Sequence, residues 1–377
     1  MGNLKGKRED QKLRVIVLGP PLDQSGGIGA LYTYATPFFP EWINVNFIDT
    51  RGYRKNPMLS VIPLLKTLRY LSKAKRNKSV DLVHVNFGSR GSALRKLIII
   101  YYAVNVLNLK VVAQLHASTF EEFFLGLPIF VQKTILRILN ECSKILVLGA
   151  TSQKMLVRIG IRREVVHVFR MGVPDLRLDA PANQNDEKPK KSDPEIKTIL
   201  FAGELSSRKG LPELIQASVS TGLDIKFVVA GAGDIEKWKN IALDLGVIEK
   251  IAFVGLVPYS AIQYYFKYAD ALILPSRAEG LPVSVLESLS AGVVPIVTLA
   301  GNLGDILESE NSFIIKEISQ VGVLQAINDF KAVFESQAIA EFSTKCRNLW
   351  SDEFDAKQTT KILSEHWLQA SGKLEDR

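Results

Sequence analysis

The sequence predicts an α/β protein of two doubly wound domains in tandem, each a parallel sheet covered by helices. Three observations predict it. Apolar strand-like runs alternate with helical patterns in both halves of the chain. The runs are continuous in Val, Ile and Leu, as expected of strands buried on both faces. The 377 residues exceed what one core usually holds.

In the first half, "LRVIVLG" (13–19), "VNFIDT" (45–50), "DLVHVNFG" (81–88), "KVVAQLHA" (110–117) and "KILVLGA" (144–150) read as strands. The stretches between them are long enough for crossover helices. In the second half the strands are "KTILFAGE" (197–204), "DIKFVVAG" (224–231), "KIAFVGLV" (250–257), "DALILP" (270–275) and "VPIVT" (294–298). The helices there are "LPELIQASVST", "EKWKNIALDLG", "AIQYYFKYA" and "LPVSVLESLSAG". Between the halves, "DAPANQNDEKPKKSDPEIK" (179–197) is polar and Pro-bearing and reads as a linker or surface loop. The expected boundaries are 13–173 for the first domain, 174–196 for the linker and 197–347 for the second domain. The tail "TTKILSEHWLQASGK" (359–373) reads as one amphipathic helix.

An apolar content of 47% with scattered charge fits a globular chain. Cys142 and Cys346 are far apart and in no metal-ligand spacing, so a reduced, cytosolic compartment is expected. The start "MGNLKGKREDQKLR" lacks the apolar stretch of a signal peptide. The longest apolar run, "LIIIYYAVNVLNL", is too short to span a bilayer. The net charge of +8 is uneven. Residues 51 to 110 hold 13 Lys/Arg and one acid, Asp81, which is +12 and leaves −4 for the rest. A basic surface of this kind can meet nucleic acid, an anionic membrane or a phosphorylated substrate.

Ligands of doubly wound sheets bind at the carboxyl ends of strands, and a cleft between two domains is a common pocket. Motifs at strand ends therefore carry the functional reading. After the first strand, "PPLDQSGGIGAL" offers a glycine turn with a helix amino end behind it, where backbone amides can approach a phosphate. It is not the G-x-G-x-x-G dinucleotide fingerprint, and only Asp49 could serve as its acid, so a nicotinamide site fits poorly. His116 ends "KVVAQLHA", where a catalytic side chain would face a cleft; a satisfied structural histidine is the other reading. His84 lies inside a strand and reads as core. In "FAGELSSRKGLPELI", Arg208 and Lys209 stand in a strand-to-helix loop, able to meet a diphosphate or to be solvated loop charges.

"PSRAEGLPVSVLESLSAG" places Glu279 before a helix and Glu287 inside it. Pro282 fits the first helical turn, and the amides around Gly280 and Leu281 then point toward a ligand. Glu287 lies five residues beyond Pro282, about 7.5 Å along the axis. The two carboxylates would thus reach the two ends of an extended ligand, with the positive helix end between them. A nucleoside-diphosphate sugar needs this set: hydroxyl acceptors at the sugar and ribose, donors at the diphosphate.

Taken together, "SGGIG", "QLHA", "FAGELSSRKGLPELIQA", "VVAGAG" and "EGLPVSVLESLSAGVVPI" give a chain that resembles the GT-B glycosyltransferases of family 4, the retaining class. The last of these matches the family's Glu-x7-Glu element, and the resemblance covers essentially the whole chain. It implies two Rossmann-like domains facing a central cleft, with a C-terminal helix (354–373) crossing back to the first. By resemblance, Glu287 binds the ribose and Glu279 contacts the transferred sugar. Lys209 and Arg208 meet the diphosphate, and Gly27 lets the first domain close on the phosphates. His116 stands beside sugar and acceptor, so the catalytic pair would be His116 and Glu279. Gly280 and Leu281 complete the donor side. "VHVNFGSRGSALRKLIII" resembles a bacterial surface-polysaccharide subgroup, which places Ser89, Arg90, Ser92, Arg95 and Lys96 toward the acceptor. Two positions depart from the pattern: Met171 stands for an Asn, and Glu204 for an Arg that would be a second phosphate cation.

The resemblance implies transfer of a hexose from a nucleotide sugar to a saccharide, lipid-linked at the inner face of the cell membrane, with no nucleic acid involved. The enzyme would be cytoplasmic and peripheral on an anionic surface, with the nucleotide sugar as co-substrate and no cofactor. The chain has no Asp-x-Asp metal motif, and no metal is expected. Glu204 motivates an alternative, a catalytically silent nucleotide-sugar-binding partner in polysaccharide assembly. A nucleotide-sugar epimerase on the same fold is a further one.

Overall fold

The computed structural model describes residues 12–22, 26–50, 61–89, 91–178 and 196–373. The chain divides into a first unit, Met1–Met171 with Lys357–Arg377, and a second, Gly172–Ala356.

The first unit opens with β1 (Leu13–Gly19), α1 (Gly27–Ala35), β2 (Ile43–Asp49) and α2 (Val61–Arg76). Next come β3 (Leu82–Phe87), α3 (Gly91–Tyr101), β4 (Lys110–Leu115), α4 (Phe120–Leu125) and α5 (Ile129–Asn140). Then follow β5 (Lys144–Val147), α6 (Ala150–Arg158) and β6 (Val166–Val168). The strands form one six-stranded parallel sheet in the order β2-β1-β3-β4-β5-β6. Every residue of β3 is buried, and β1 and β4 are buried except near their starts. That burial explains their unbroken apolar sequences, since helices cover both faces of a parallel sheet.

The second unit contains β7 (Lys197–Ala202), α7 (Leu211–Ser218), β8 (Ile225–Ala230), α8 (Ile235–Asp244) and β9 (Ile251–Gly255). It continues with α9 (Tyr259–Tyr268), β10 (Ala271–Leu274), α10 (Val283–Ala291), β11 (Val294–Val297) and β12 (Phe313–Ile314). Helices α11 (Gln320–Glu335) and α12 (Ile339–Leu349) follow. Its parallel order is β12-β11-β10-β7-β8-β9, the doubly wound order with its reversal between β7 and β10. Local chemistry places the helix ends. Asp234 accepts the Lys237 amide at 3.1 Å and caps α8, and Ser319 accepts from Gly322 at 3.1 Å to cap α11. Gly292 ends α10 with φ 73°, a left-handed cap open to glycine.

All ten predicted strands are present. The two short strands β6 and β12 and the helices α11 and α12 lie beyond the predicted elements. Strands of three and two residues are too short to show a period. Pro282 stands one residue ahead of α10, in extended conformation with ψ 129°, and not in the first turn as expected. Residues 174–178 of the expected linker belong to the second unit. Leu176 is buried, and Arg347 makes bonds of 2.9 and 2.8 Å to the two carboxylate oxygens of Asp175. Residues 179–195 of that linker lie outside the described residues.

Residues of the second unit next to its two boundaries pair with each other. Val173 N–H donates to Phe354 O at 2.9 Å, and Ala356 N–H to Val173 O at 3.1 Å. From there α13 (Ala356–Ser371) runs onto the first unit. Trp367 on α13 is fully buried, stacks on Phe39 at 5.3 Å and donates its indole N–H to His84 Nδ1 at 2.8 Å. Lys373 adds an ion pair to Asp81 at 3.0 Å.

Trp367→Ala should lower the stability of the first unit by about 3–5 kcal/mol, the usual cost of truncating a buried tryptophan. Amide exchange of β1 and β3, faster than wild type while β7 and β8 are unchanged, is the expected result.

Candidate functional site

Two groups of strand-end residues stand out, one in each unit. In the second unit, β7 and β10 are neighbours at the point where the strand order reverses. The loops after them are tied together. Arg277 N–H donates to Arg208 O at 2.9 Å, and Arg208 Nη1 donates to Ala278 O at 2.9 Å. Arg277 also reaches Ser207 O and Glu213 Oε1, each at 2.6 Å. Within this frame Lys209 Nζ donates to Glu279 Oε1. Lys209 is 9% exposed and Glu279 7%, so this is a buried ion pair. Breaking such a pair leaves an uncompensated charge and is costly.

Two glycines hold the pair. Gly210, directly after Lys209, has φ 73°, and a Cβ there would overlap the Pro275 carbonyl. Gly301 has φ 66°, and a Cβ there would overlap the carbonyl of Glu279. Only glycine allows both the conformation and the approach. Gly280 is steadied through its carbonyl, which accepts from Asn302 N at 3.2 Å and Nδ2 at 3.0 Å. Leu281 is half-buried beside it, and Glu287 is 5% exposed on α10.

Within the chain, Arg208 pairs with Glu204. Its Nη2 donates to Glu204 Oε2 at 3.1 Å, and Nη1 stands 4.0 Å from Glu279 Oε2. The acid at position 204 therefore ties up the arginine expected to replace the missing cation. Both side chains are exposed, so the pair is weak and open to exchange with a ligand anion.

In the first unit the strand order reverses between β1 and β3. A pocket of about 240 Å³ opens there. Arg95, Lys96 and His116 line it together with Thr50 and Asn86. Lys96 is 6% exposed, and its Nζ donates to Thr50 Oγ1. Burial, with Arg95 adjacent, lowers the Lys96 pKa to about 7. Gly27 begins α1, and Ile28 beside it lines the pocket. Ser89 does not line it; its hydroxyl is 2.9 Å from that of Thr119. Arg90 lies outside the described residues, as does the side chain of Ser92.

Behind His116 runs a hydrogen-bonded chain that no sequence motif reveals. His116 Nε2 is 2.7 Å from Asn86 Oδ1. Asn86 Oδ1 also accepts from Tyr32 Oη at 3.3 Å, and Tyr32 Oη is 3.2 Å from His84 Nε2. His84 Nδ1 accepts from Trp367. The indole can only donate, so the His84 proton sits on Nε2 and faces Tyr32. Tyr32 Oη then stands against both ends of the Asn86 amide, 3.3 Å from Oδ1 and 3.2 Å from Nδ2, and Nδ2 also reaches Leu18 O at 3.4 Å. An amide oxygen only accepts, so His116 carries its proton on Nε2, leaving Nδ1 a lone pair. Burial keeps both rings neutral, lowering His84 to about 3 and His116 to about 4. His84 is core, as its strand-interior position predicts, and also part of this chain.

Comparison with known proteins bears on the fold and the family. Residues 182–340 match the family described as Glycosyl transferases group 1. The match falls within the second unit. The chain is similar to an uncharacterized glycosyltransferase of Methanocaldococcus jannaschii, 33% identical over 117 residues and 30% of each chain. It is also similar to a putative colanic acid biosynthesis glycosyltransferase of Escherichia coli K12, 26% identical over 198 residues, 50% of this chain and 44% of that one. The alignments thus span about a third to a half of these curated relatives. Among solved structures, Anabaena HepE in complex with UDP matches with a TM-score of 0.71 over 94% of this chain and 99% of the other. At 16% identity the likeness is one of fold, and the fold is GT-B.

Replacing Asn86 by Asp puts a carboxylate against His116 Nε2–H and favours the imidazolium. The His116 pKa should rise from about 4 to between roughly 5 and 7. An NMR titration of the imidazole in wild type and Asn86→Asp reads this directly. An unchanged midpoint would show that the Asn86–His116 bond does not form in solution.

Proposed function

We propose that the protein is a retaining glycosyltransferase that moves a hexose from a nucleoside-diphosphate sugar to a saccharide, lipid-linked, in bacterial surface-polysaccharide synthesis. The observation that carries this reading is the buried Lys209–Glu279 pair at the reversal point of a group 1 glycosyltransferase unit. The colanic acid relative supports the polysaccharide setting. Complexes of HepE with UDP and with UDP-glucose support a nucleotide sugar as donor.

In this reading Glu287 accepts hydroxyl hydrogens of the ribose and Glu279 those of the transferred sugar. Lys209 and Arg208 stabilise the charge that grows on the departing diphosphate, each trading part of its present partner for phosphate oxygen. The amino end of α10, beside Gly280 and Leu281, adds a positive field. An oxygen of the departing diphosphate takes the acceptor proton on the same face of the sugar, which preserves the anomeric configuration. On the acceptor unit His116 offers Nδ1 to a sugar hydroxyl. Catalysis is then positioning and electrostatics. The Glu204–Arg208 pair favours the second reading, a donor-binding partner without turnover.

Glu287→Ala should weaken nucleotide-sugar binding by about 1.5–3 kcal/mol, the worth of hydrogen bonds to a charged acceptor. Calorimetry, after a thermal-shift panel of nucleotide sugars has identified the donor, measures it; equal affinities would remove Glu287 from the site. Hydrolysis of that donor by wild type separates the enzyme from the silent partner.

The membrane reading gains a surface. Leu64, Leu65, Leu68 and Leu71 recur at helical spacing on α2 and divide between core and surface. Leu71 is buried and Leu64 and Leu68 pack on the core, while Val61, Ile62 and Leu65 are exposed. Leu94, Ile98 and Tyr101 are exposed on α3, which touches α2. Lys66, Arg69, Lys73, Lys75, Arg76 and Lys78 are exposed among the same residues. Among the described residues no helix is long and apolar enough to cross a membrane. Such a mixed apolar and cationic face suits peripheral docking on anionic lipid, each cation contributing roughly 1 kcal/mol. Sedimentation with vesicles should show binding to anionic but not neutral lipid, weakened by salt and by charge reversal at Lys73, Lys75 and Arg76. Equal partitioning into both would sink it.

A further inference from the structure

We propose that the first-unit pocket binds an anionic group of the acceptor, a phosphoryl or a carboxylate, with Lys96 and Arg95 as its cationic contacts. The proposal rests on the reading of this unit as the acceptor unit and adds the chemical class of what it accepts.

Four observations carry it. Lys96 is one of the most buried cations of the chain, although its place on α3 needs no charge for packing. Burying an ammonium is unfavourable, and an apolar side chain would fill that position without the penalty. Its Nζ meets a hydroxyl, Thr50 Oγ1, and among the described residues lining the pocket none is a carboxylate. Arg95, its neighbour, has a buried Nε with no hydrogen-bond partner among the described residues. The amino end of the nine-residue α1 opens on the same space, with no acid in its first turn. Against these stands one nearby carboxylate, Asp49 at the end of β2, which acts on Lys96 from outside the pocket lining.

The size narrows the ligand. About 240 Å³ is less than pockets that enclose a whole organic ligand. It has room for a charged group and part of the sugar that carries it, the cations for the charge and Thr50, Asn86 and His116 for hydroxyls.

The protonation of Lys96 gives the site a signature. With its pKa near 7, the ammonium is present below that pH and is lost above it. The charged groups acting on it are Arg95 on its own helix, which lowers the pKa, and Asp49 at the end of β2, which raises it; His116, across the pocket, is neutral in this range. A bound anion favours the ammonium. Binding near pH 7.5 should therefore take up protons.

Calorimetry on the full chain tests this with glucose 1-phosphate, glucuronate and glucose at pH 6.5, each with and without saturating UDP. The two anions should bind at least tenfold more tightly than glucose, and at least fivefold more weakly at pH 8 than at pH 6. Near pH 7.5 the heat should depend on the ionisation enthalpy of the buffer, reporting proton uptake. Lys96→Met and Arg95→Gln should each weaken anion binding tenfold or more; circular dichroism checks folding, and the second variant serves if the first does not fold. Equal affinity for glucose and the anions would overturn the proposal. Displacement of the anions by UDP would overturn it too, by assigning the pocket to the donor diphosphate. UDP binding without anion binding sinks this inference alone; anion binding without any nucleotide binding sinks the donor reading alone.

Discussion

The buried pair of Lys209 and Glu279 is the interaction on which the second unit's site is built. Neither charge could remain there without the other. Their meeting needs two loops from neighbouring strands to approach closely, and each loop has a glycine where the crowding is greatest, Gly210 against Pro275 and Gly301 against Glu279. The backbone bonds between Arg208 and Arg277 close the same frame. The fold thus holds a cation and an anion side by side at the reversal point of the sheet.

The first unit treats charge in the opposite way. Its pocket gathers cations, and its histidines are kept neutral. The neutral state is set by burial, and the proton positions are set by a donor-only group, the indole of Trp367, at the far end of the chain of bonds. That indole comes from the last helix, so the order of protons at His116 depends on α13 being seated. Acid should work against this unit. A histidine whose folded pKa is lowered contributes full stability above its unfolded value of about 6.5 and loses it as pH falls toward the folded value. With His84 near 3 and His116 near 4, that window runs from about 6.5 downward.

Glu204 shows how one residue bears on two readings of a site. As a bare sequence letter it removes a cation. In three dimensions it also occupies Arg208, through an exposed pair that a diphosphate can displace. The pair lowers the positive field in the resting protein without fixing the arginine permanently.

From the sequence came the sheet class, the ten longer strands, the positions of Lys209, Glu279 and His116 after strands, and that of Glu287 inside a helix. These were legible because burial on both faces leaves a continuous apolar run and because the Glu-x7-Glu spacing is local. Strands β6 and β12 were not legible, since two or three residues carry no period. Nor was the chain from Trp367 through His84, Tyr32 and Asn86 to His116: its bonded partners lie up to 283 residues apart in sequence. The folded chain decided which charge meets which, that Arg208 turns to Glu204, that Lys96 is buried beside Thr50, and that the Ser89 hydroxyl meets Thr119. Hydrogen bonds and ion pairs act over about 3 Å, and only the folded chain brings distant residues that close.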